Sequence, residues 1–305
     1  MKIFLTGATG FIGSHIGSAL SEAGHQLLCL RRKTSDLRRC AAYAEKVLWT
    51  DSDSDWSAWR PQAIVHAAWS GVTAAERDDE NLQAANVDFF SRLLQTSAAA
   101  GAKRFVALGS VAEYGRINGR VSEEHPCRPV CAYGKAKLAC LNLLKDFAAK
   151  NNLAYAWVRL FSTYGPGQGE EWFMPGLLKQ LRAGQAPRLT PCEQRYDYLH
   201  VKDIAAGVAA VLDGPEASGV FNLGSNTSVP LKEIARRLQQ LSGSQVEPVF
   251  GALPYRPDQS MRLEGDSTKF YATFGFAPRF TLDQGLRDLV GDKRSNPILN
   301  CMQRL

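Results

Sequence analysis

Tyr133 and Lys137 stand four residues apart, a spacing that puts both on one face of a helix. A lysine ammonium beside a phenol favours the phenolate and is expected to lower the tyrosine's pKa from about 10 toward neutral pH. Such a tyrosine can give a proton to a carbonyl oxygen or take one from an alcohol. Ser110 closes the apolar run Phe105 to Ser110 and offers a hydroxyl to hold the same oxygen. Tyr-x-x-x-Lys is common and in isolation means little. It gains weight from a second stretch, where Gly7, Gly10 and Gly13 lie between an apolar run and an amphipathic one. Glycines there allow a tight turn, and the backbone can approach a pyrophosphate at the N-terminus of the following helix. The spacing is G-x-x-G-x-x-G, not the G-x-G-x-x-G of the usual dinucleotide fingerprint.

The elements that must position these groups follow in order. Ile3, Phe4 and Leu5 read as a buried strand, and Ile12, Ile16 and Leu20 as one face of a helix that stops at Gly24. His25 to Leu30 is a second strand, ending in Arg31, Arg32 and Lys33. Dinucleotide-binding chains of this pattern ordinarily place an acid here for the adenosine ribose. Arginine instead suits a 2′-phosphate, so NADP(H) is expected ahead of NAD(H), with a solvated basic loop as the plain alternative. Lys46–Trp49, Ala63–Ala68, Phe105–Ser110 and Leu153–Leu160 read as strands. Asn81–Ala100 and Tyr133–Lys150 read as helices, and Asp51, Asp53 and Asp55 form an acidic loop. This alternation predicts an α/β fold, a Rossmann-type doubly wound parallel sheet with ligands at the carboxyl ends of its strands. Beyond a loop at Gly165–Gly169 come a helix at Met174–Ala183 and strands at Tyr198–Val201 and Phe221–Leu223, expected to return to the sheet. A helix at Lys232–Leu241 and a stretch broken by Pro254, Pro257 and Pro278 follow, and the chain from about Lys293 reads as a loose tail. The expected division is a cofactor domain at 1–164 plus about 197–225, and a smaller α+β substrate domain at 165–196 and 226–305.

The chain has 305 residues and a net charge of +6, with no dense Lys/Arg run, so neither nucleic acid nor membrane is an expected partner. No signal peptide or bilayer-spanning stretch is evident, which suggests a cytoplasmic protein. Cys29, Cys40, Cys127, Cys131, Cys140, Cys192 and Cys301 are scattered without a C-x-x-C, the pattern of reduced thiols and not of a disulfide frame or metal site.

Six segments run in the order of a known family: Gly7–Gly13 (GATGFIG), Val65–Ala68 (VHAA), Gly109–Gly115 (GSVAEYG), Tyr133–Lys137 (YGKAK), Arg159–Pro166 (RLFSTYGP) and Asp197–Asp203 (DYLHVKD). The chain resembles the extended short-chain dehydrogenase/reductases of the nucleotide-sugar epimerase/dehydratase group. The resemblance implies that Tyr133 is the acid/base, that Lys137 tunes it and binds the nicotinamide ribose, and that Ser110 orients the substrate oxygen. It implies a cofactor cleft lined by Gly7, Thr9, Gly10, Phe11, Ile12, Gly13, Arg31, Arg32, Asp51, Ser52, Ala67, Ala68, Trp69, Asn86, Leu108, Tyr133, Lys137, Leu160 and Phe161. Asp51 would meet the adenine, Phe161 would lie near the nicotinamide and Asn86 behind the active site. The substrate, a nucleotide-diphosphate sugar, would meet Ser70, Ser110, Val111, Ala112, Tyr133 and Ser162, with Arg195 and Arg256 reaching its diphosphate. A homodimer through the two long helices is also implied.

Departures from the family narrow the reaction. The 4,6-dehydratases carry Asp-Glu directly after the active-site Ser/Thr, where this chain has Val111 and Ala112. The GDP-fucose synthases place a cysteine where Ala112 stands and a histidine near Trp172. Ser162 replaces a common asparagine, and Tyr196 a common arginine. What remains is hydride transfer with one protonation: an NADPH-dependent reduction of a nucleotide-linked 4-keto-6-deoxyhexose. The alternatives are a 4-epimerase with bound NAD and a non-catalytic NADP-binding sensor or scaffold.

Overall fold

The computed structural model describes residues 1–52, 55–256 and 259–291. Asp53, Pro257, Cys301 and the tail expected from Lys293 lie outside the described residues. The chain opens with β1 (Lys2–Thr6), in which Ile3 and Leu5 point into one apolar layer and Phe4 into the other. In α1 (Phe11–Glu22), Ile16 and Leu20 are fully buried and Ile12 packs at the layer's edge. Gly24 ends the helix in the left-handed region at φ +80°, where His25 N closes back onto Leu20 O at 3.1 Å.

The next elements are β2 (Gln26–Leu30), β3 (Leu48–Thr50), β4 (Ala63–His66), α2 (Glu80–Ala99), β5 (Arg104–Ser110), β6 (Gly119–Val121), α3 (Ala132–Asn151) and β7 (Ala154–Leu160). Then come β8 (Ser162–Tyr164), α4 (Phe173–Arg182), β9 (Arg195–His200), α5 (Val201–Asp213), β10 (Gly219–Leu223) and β11 (Ser228–Pro230). The described chain closes with α6 (Leu231–Ser242), β12 (Arg262–Gly265), α7 (Thr268–Phe274) and α8 (Leu282–Gly291). Seven strands pair in the order β10-β7-β5-β4-β1-β2-β3, all parallel. Helices α1 and α5 cover one face with Ile16, Leu20, Val208 and Val211, while α2 and α3 cover the other with Phe90, Leu93, Leu141 and Leu144. The strand order reverses between β1 and β4, which opens a crevice at their carboxyl ends. This is the Rossmann-type sheet expected from the sequence.

A second sheet has the order β11-β9-β12-β6, with β8 also on β9. Here one expectation is corrected. The strand placed at Tyr198–Val201 does not return to the first sheet: β9 lies in the second, Val201 already begins α5, and of the two expected strands only the one at Phe221–Leu223 joins the parallel sheet, beside β7. The cause lies in packing. Tyr196 and Tyr198 lean on an apolar cluster made by α4, α6 and α8, with Leu178, Ile234, Leu238 and Leu286 at its centre. Between them Asp197 is fully buried and accepts from Ser225 N and Oγ, both at 2.6 Å, and from Gly265 N at 3.2 Å. Asp203 fixes the chain ahead of α8 by accepting from Arg279 N and Phe280 N. No described helix is long and apolar enough to cross a membrane.

Candidate active site

Ser110 ends β5 and caps the short turn Val111–Glu113. Ala112 N donates to its Oγ at 3.2 Å, and the Glu113 carboxylate accepts from Ser110 N at 2.7 Å. This reciprocal box fixes the serine at the carboxyl edge of the sheet. The start of α3 brings Tyr133 beside it, near enough for the serine hydroxyl to draw the phenol's pKa down. Lys137, one turn further on, is only 4% exposed. Its Nζ donates to Leu108 O at 2.7 Å and lies 3.6 Å from the centre of the Trp69 ring and 5.9 Å from that of Tyr133. Trp69 also meets Tyr133 edge-on at 5.8 Å.

The electrostatics reverse one expectation. Burial pushes the Tyr133 phenol up to about 12; the Ser110 hydroxyl and the Arg77 charge draw it down, while Glu113 and Cys131 add to the rise. Burial outweighs any pull of the Lys137 ammonium, which is held by the Leu108 carbonyl and the Trp69 face. Burial also brings Lys137 itself down to about 8. A neutral, proton-bearing Tyr133 is the form that can act as a general acid. Behind Lys137, His66 is buried and shares a 2.8 Å hydrogen bond with Thr6 Oγ1. Burial, with Lys137 nearby, holds its pKa at about 3, so it stays uncharged.

The glycine turn fits a dinucleotide pyrophosphate. Gly7 has φ +76°, and a Cβ there would sit 2.5 Å from the main chain of Ala67 and Ala68; one on Gly13 would sit 2.0 Å from Gly7 O. The turn therefore lies directly on the end of β4, across the crevice. Gly10 is the N-cap of α1 and no side chain caps that helix, which leaves its first N–H groups to an anion. Thr9, Phe11 and Ile12 follow the same curve. A loop the sequence did not assign to this cleft closes over α1: His15 Nε2 meets Pro166 O at 2.9 Å, and Arg39 Nε donates to Gly167 O at 3.1 Å.

The family described as NAD dependent epimerase/dehydratase matches residues 3–224, from β1 through β10. The chain belongs to that family. A dTDP-glucose 4,6-dehydratase from Streptomyces niveus is 28% identical over 97% of this chain and 94% of that protein. A GDP-6-deoxy-D-mannose reductase from Pseudomonas aeruginosa is 26% identical over 96% and 97%. A UDP-glucose 4-epimerase from Thermus thermophilus, solved in complex with NAD, shares the fold with a TM-score of 0.85 at 23% identity, covering 96% and 99%.

The remaining candidates of this epimerase/dehydratase chain fall into three groups. At the far end of the crevice, Arg31 lies with its guanidinium 5.6 Å over the Trp49 ring, Arg32 N donates to Ser35 Oγ, and Asp51 pairs with Lys33 at 3.7 Å. Ser52 N donates to Thr50 Oγ1. At the centre, Asn86 on α2 clamps the main chain of Ser70, with Oδ1 accepting from Ser70 N at 3.1 Å and Nδ2 donating to Ser70 O at 2.9 Å. Leu160 is buried at the end of β7. The Phe161 ring is buried with Tyr114, Ile117 and Val121, and its close fit against Gly265 leaves no room there for a Cβ. On the second sheet and its loops, Ser162 pairs with Tyr198, Arg195 Nη2 donates to Ser228 O at 2.7 Å, and Arg256 is exposed. Val111 and Ala112 occupy the turn after Ser110, and Trp172 caps α4 at 40% exposure.

Three participants carried no assignment from the sequence. Glu113 and Arg159 form a buried ion pair at 2.7 Å beneath Ser110. The S-x-x-E spacing of Ser110 and Glu113 was the available sign of the first; nothing local marks Arg159 as its partner. Arg77 stands 5.9 Å from the Tyr133 ring centre, on a loop with no motif of its own.

Proposed function

We propose that this protein is an NADPH-dependent reductase of a nucleotide-linked 4-keto-6-deoxyhexose. One observation carries the reading: burial keeps Tyr133 proton-bearing beside Ser110, and the side chains next to that serine, Val111 and Ala112, cannot exchange protons. Bound NADPH supplies the hydride. Ser110 holds the keto oxygen, Tyr133 delivers a proton to it, and Lys137 positions the nicotinamide ribose. The absence of the Asp-Glu pair separates this site from water elimination, the chemistry named for the Streptomyces relative. Arg195 and Arg256 serve the diphosphate. Residues 1–164 with about 197–225 bind the cofactor, and 165–196 with 226–305 bind the sugar nucleotide. The test is incubation with NADPH and a panel of dTDP-, GDP-, CDP- and UDP-4-keto-6-deoxyhexoses, with products identified by mass and NMR. Reduction of at least one member supports the reading; cofactor binding without turnover of any member favours a sensor.

The cofactor assignment rests on the basic end of β2. A charge-assisted bond to the 2′-phosphate contributes roughly 1.5–3 kcal/mol, or about tenfold to hundredfold in preference. The wild type is expected to favour NADPH over NADH by at least that margin in kcat/KM. Arg31→Asp should lose most of it, because the carboxylate repels the phosphate and can accept from free ribose hydroxyls. Equal use of both cofactors by the wild type would overturn this assignment.

The assembly follows the same reading. Leu141 and Leu144 are spent on the core, whereas Leu143 on α3 is 38% exposed and Leu138 and Phe147 are half-buried. Pairing of α2 and α3 with a second copy would cover that surface. Light scattering at micromolar concentration should give the mass of a dimer, and a monomeric mass would count against it.

A further inference from the structure

Arg77 reaches the catalytic tyrosine from outside its helix. The loop carrying it is tied to the start of α3 by main-chain and capping bonds: Tyr133 N donates to Arg77 O at 2.8 Å, and Ala132 N donates to Asp78 Oδ1 at 3.0 Å. The guanidinium lies 5.9 Å from the Tyr133 ring centre, as close as the Lys137 ammonium. The two cations differ in what else they do. Lys137 is engaged by Leu108 O and Trp69. Arg77 gives one Nη2 hydrogen to Cys131 Sγ at 2.9 Å, and its Nε is buried without a partner. The carboxylates of its own loop are turned elsewhere: Glu76 accepts from Thr73, Asp78 from Ala132 and Asp79 from Leu82. The Arg77 charge is among the influences that draw the Tyr133 phenol down.

We propose that Arg77 is a positioning residue whose charge sets the proton affinity of Tyr133. The proposal rests on reading Tyr133 as the group that exchanges the proton. The groups facing the phenol are Ser110 at the end of β5, Glu113 in the following turn, Cys131 at the N-cap, Lys137 on the same helix, Trp69 after β4 and Arg77. Glu113 and desolvation favour the protonated form. Arg77 is the fixed cation opposing them, and it makes the proton easier to give up as the ketone is reduced.

The test needs no substrate. With 3,5-difluorotyrosine placed at position 133 of the full chain, the fluorine shift reports titration of that one phenol, whose lower intrinsic pKa keeps the measurement where the protein is folded. Arg77→Gln should raise the pKa by about 1 unit, the lower end of the effect of a charge within about 6 Å. Arg77→Lys should stay close to the wild-type value. If Arg77→Gln does not fold, Arg77→Met removes the charge while keeping the apolar stem and is read the same way. Titration at the wild-type pH in a charge-free variant would overturn the proposal. So would equal shifts in the Lys and Gln variants, which would mean that shape and not charge is at work. Neither result bears on which sugar is reduced, so a failure here is distinct from a failure of the functional reading.

Discussion

Tyr133→Phe lowers kcat by about a hundredfold to ten-thousandfold, the usual contribution of a positioned general acid, while NADPH affinity changes little. The substitution keeps the ring, and with it the edge-on contact to Trp69 and the packing under Arg77. It removes only the hydroxyl beside Ser110. Single-turnover mixing with the keto sugar separates the chemical step from product release, and a fluorescence titration reads NADPH binding. Near-normal turnover by this variant would mean that another group protonates the oxygen.

Glu113→Gln is expected to destabilise the fold by about 3–5 kcal/mol, the cost of leaving one member of a buried ion pair without its partner. Glu113 is fully buried and Arg159 is 3% exposed. The carboxylate accepts from Arg159 Nε at 2.7 Å, from Trp157 Nε1 at 2.9 and 3.1 Å, and from Ser110 N at 2.7 Å. Glutamine keeps the shape but strands the guanidinium, which also lies 4.4 Å over the Tyr114 ring and donates to Cys127 Sγ. Urea unfolding should show the midpoint fall with an unchanged slope. Glu113→Leu combined with Arg159→Met should recover only part of the loss, since the apolar pair removes the stranded charge but leaves Trp157 Nε1 and Ser110 N without their acceptor. A loss under about 1 kcal/mol, the level of an exposed pair, would contradict this account. Because Glu113 also anchors Ser110, the single variant should lose activity even where it is still folded.

Much of this architecture was legible in the residues because it depends on local periodicity. The strand Ile3–Leu5, the Ile12/Ile16/Leu20 face and the glycine turn between them carry their own geometry, and the parallel order follows from the alternation of strands and helices. Ser110 and Tyr133 come together because each is fixed relative to an element end. What the sequence did not give depends on long-range placement. The strand at Arg195–His200 has the composition of many strands, and only the cluster around Leu178 and Ile234 decides which sheet receives it. Arg159 meets Glu113 across 46 positions, with no local spacing to announce the pairing. The sign of the Tyr133 shift is set by burial in the folded chain, which no local spacing reveals. A four-residue spacing puts Tyr133 and Lys137 on one face but cannot say that the ammonium turns to Leu108 O.

The most direct test of the central claim follows the hydride. Purified protein is given NADPH deuterated at the transferable position of the nicotinamide, together with the 4-keto-6-deoxy sugar nucleotide that the panel selects. The account predicts one NADPH consumed per sugar reduced, deuterium at C4 of the product, and no NAD released when the purified protein is denatured. NAD released on denaturation, with a sugar nucleotide inverted at C4 and free of deuterium, would contradict it and make the protein an epimerase.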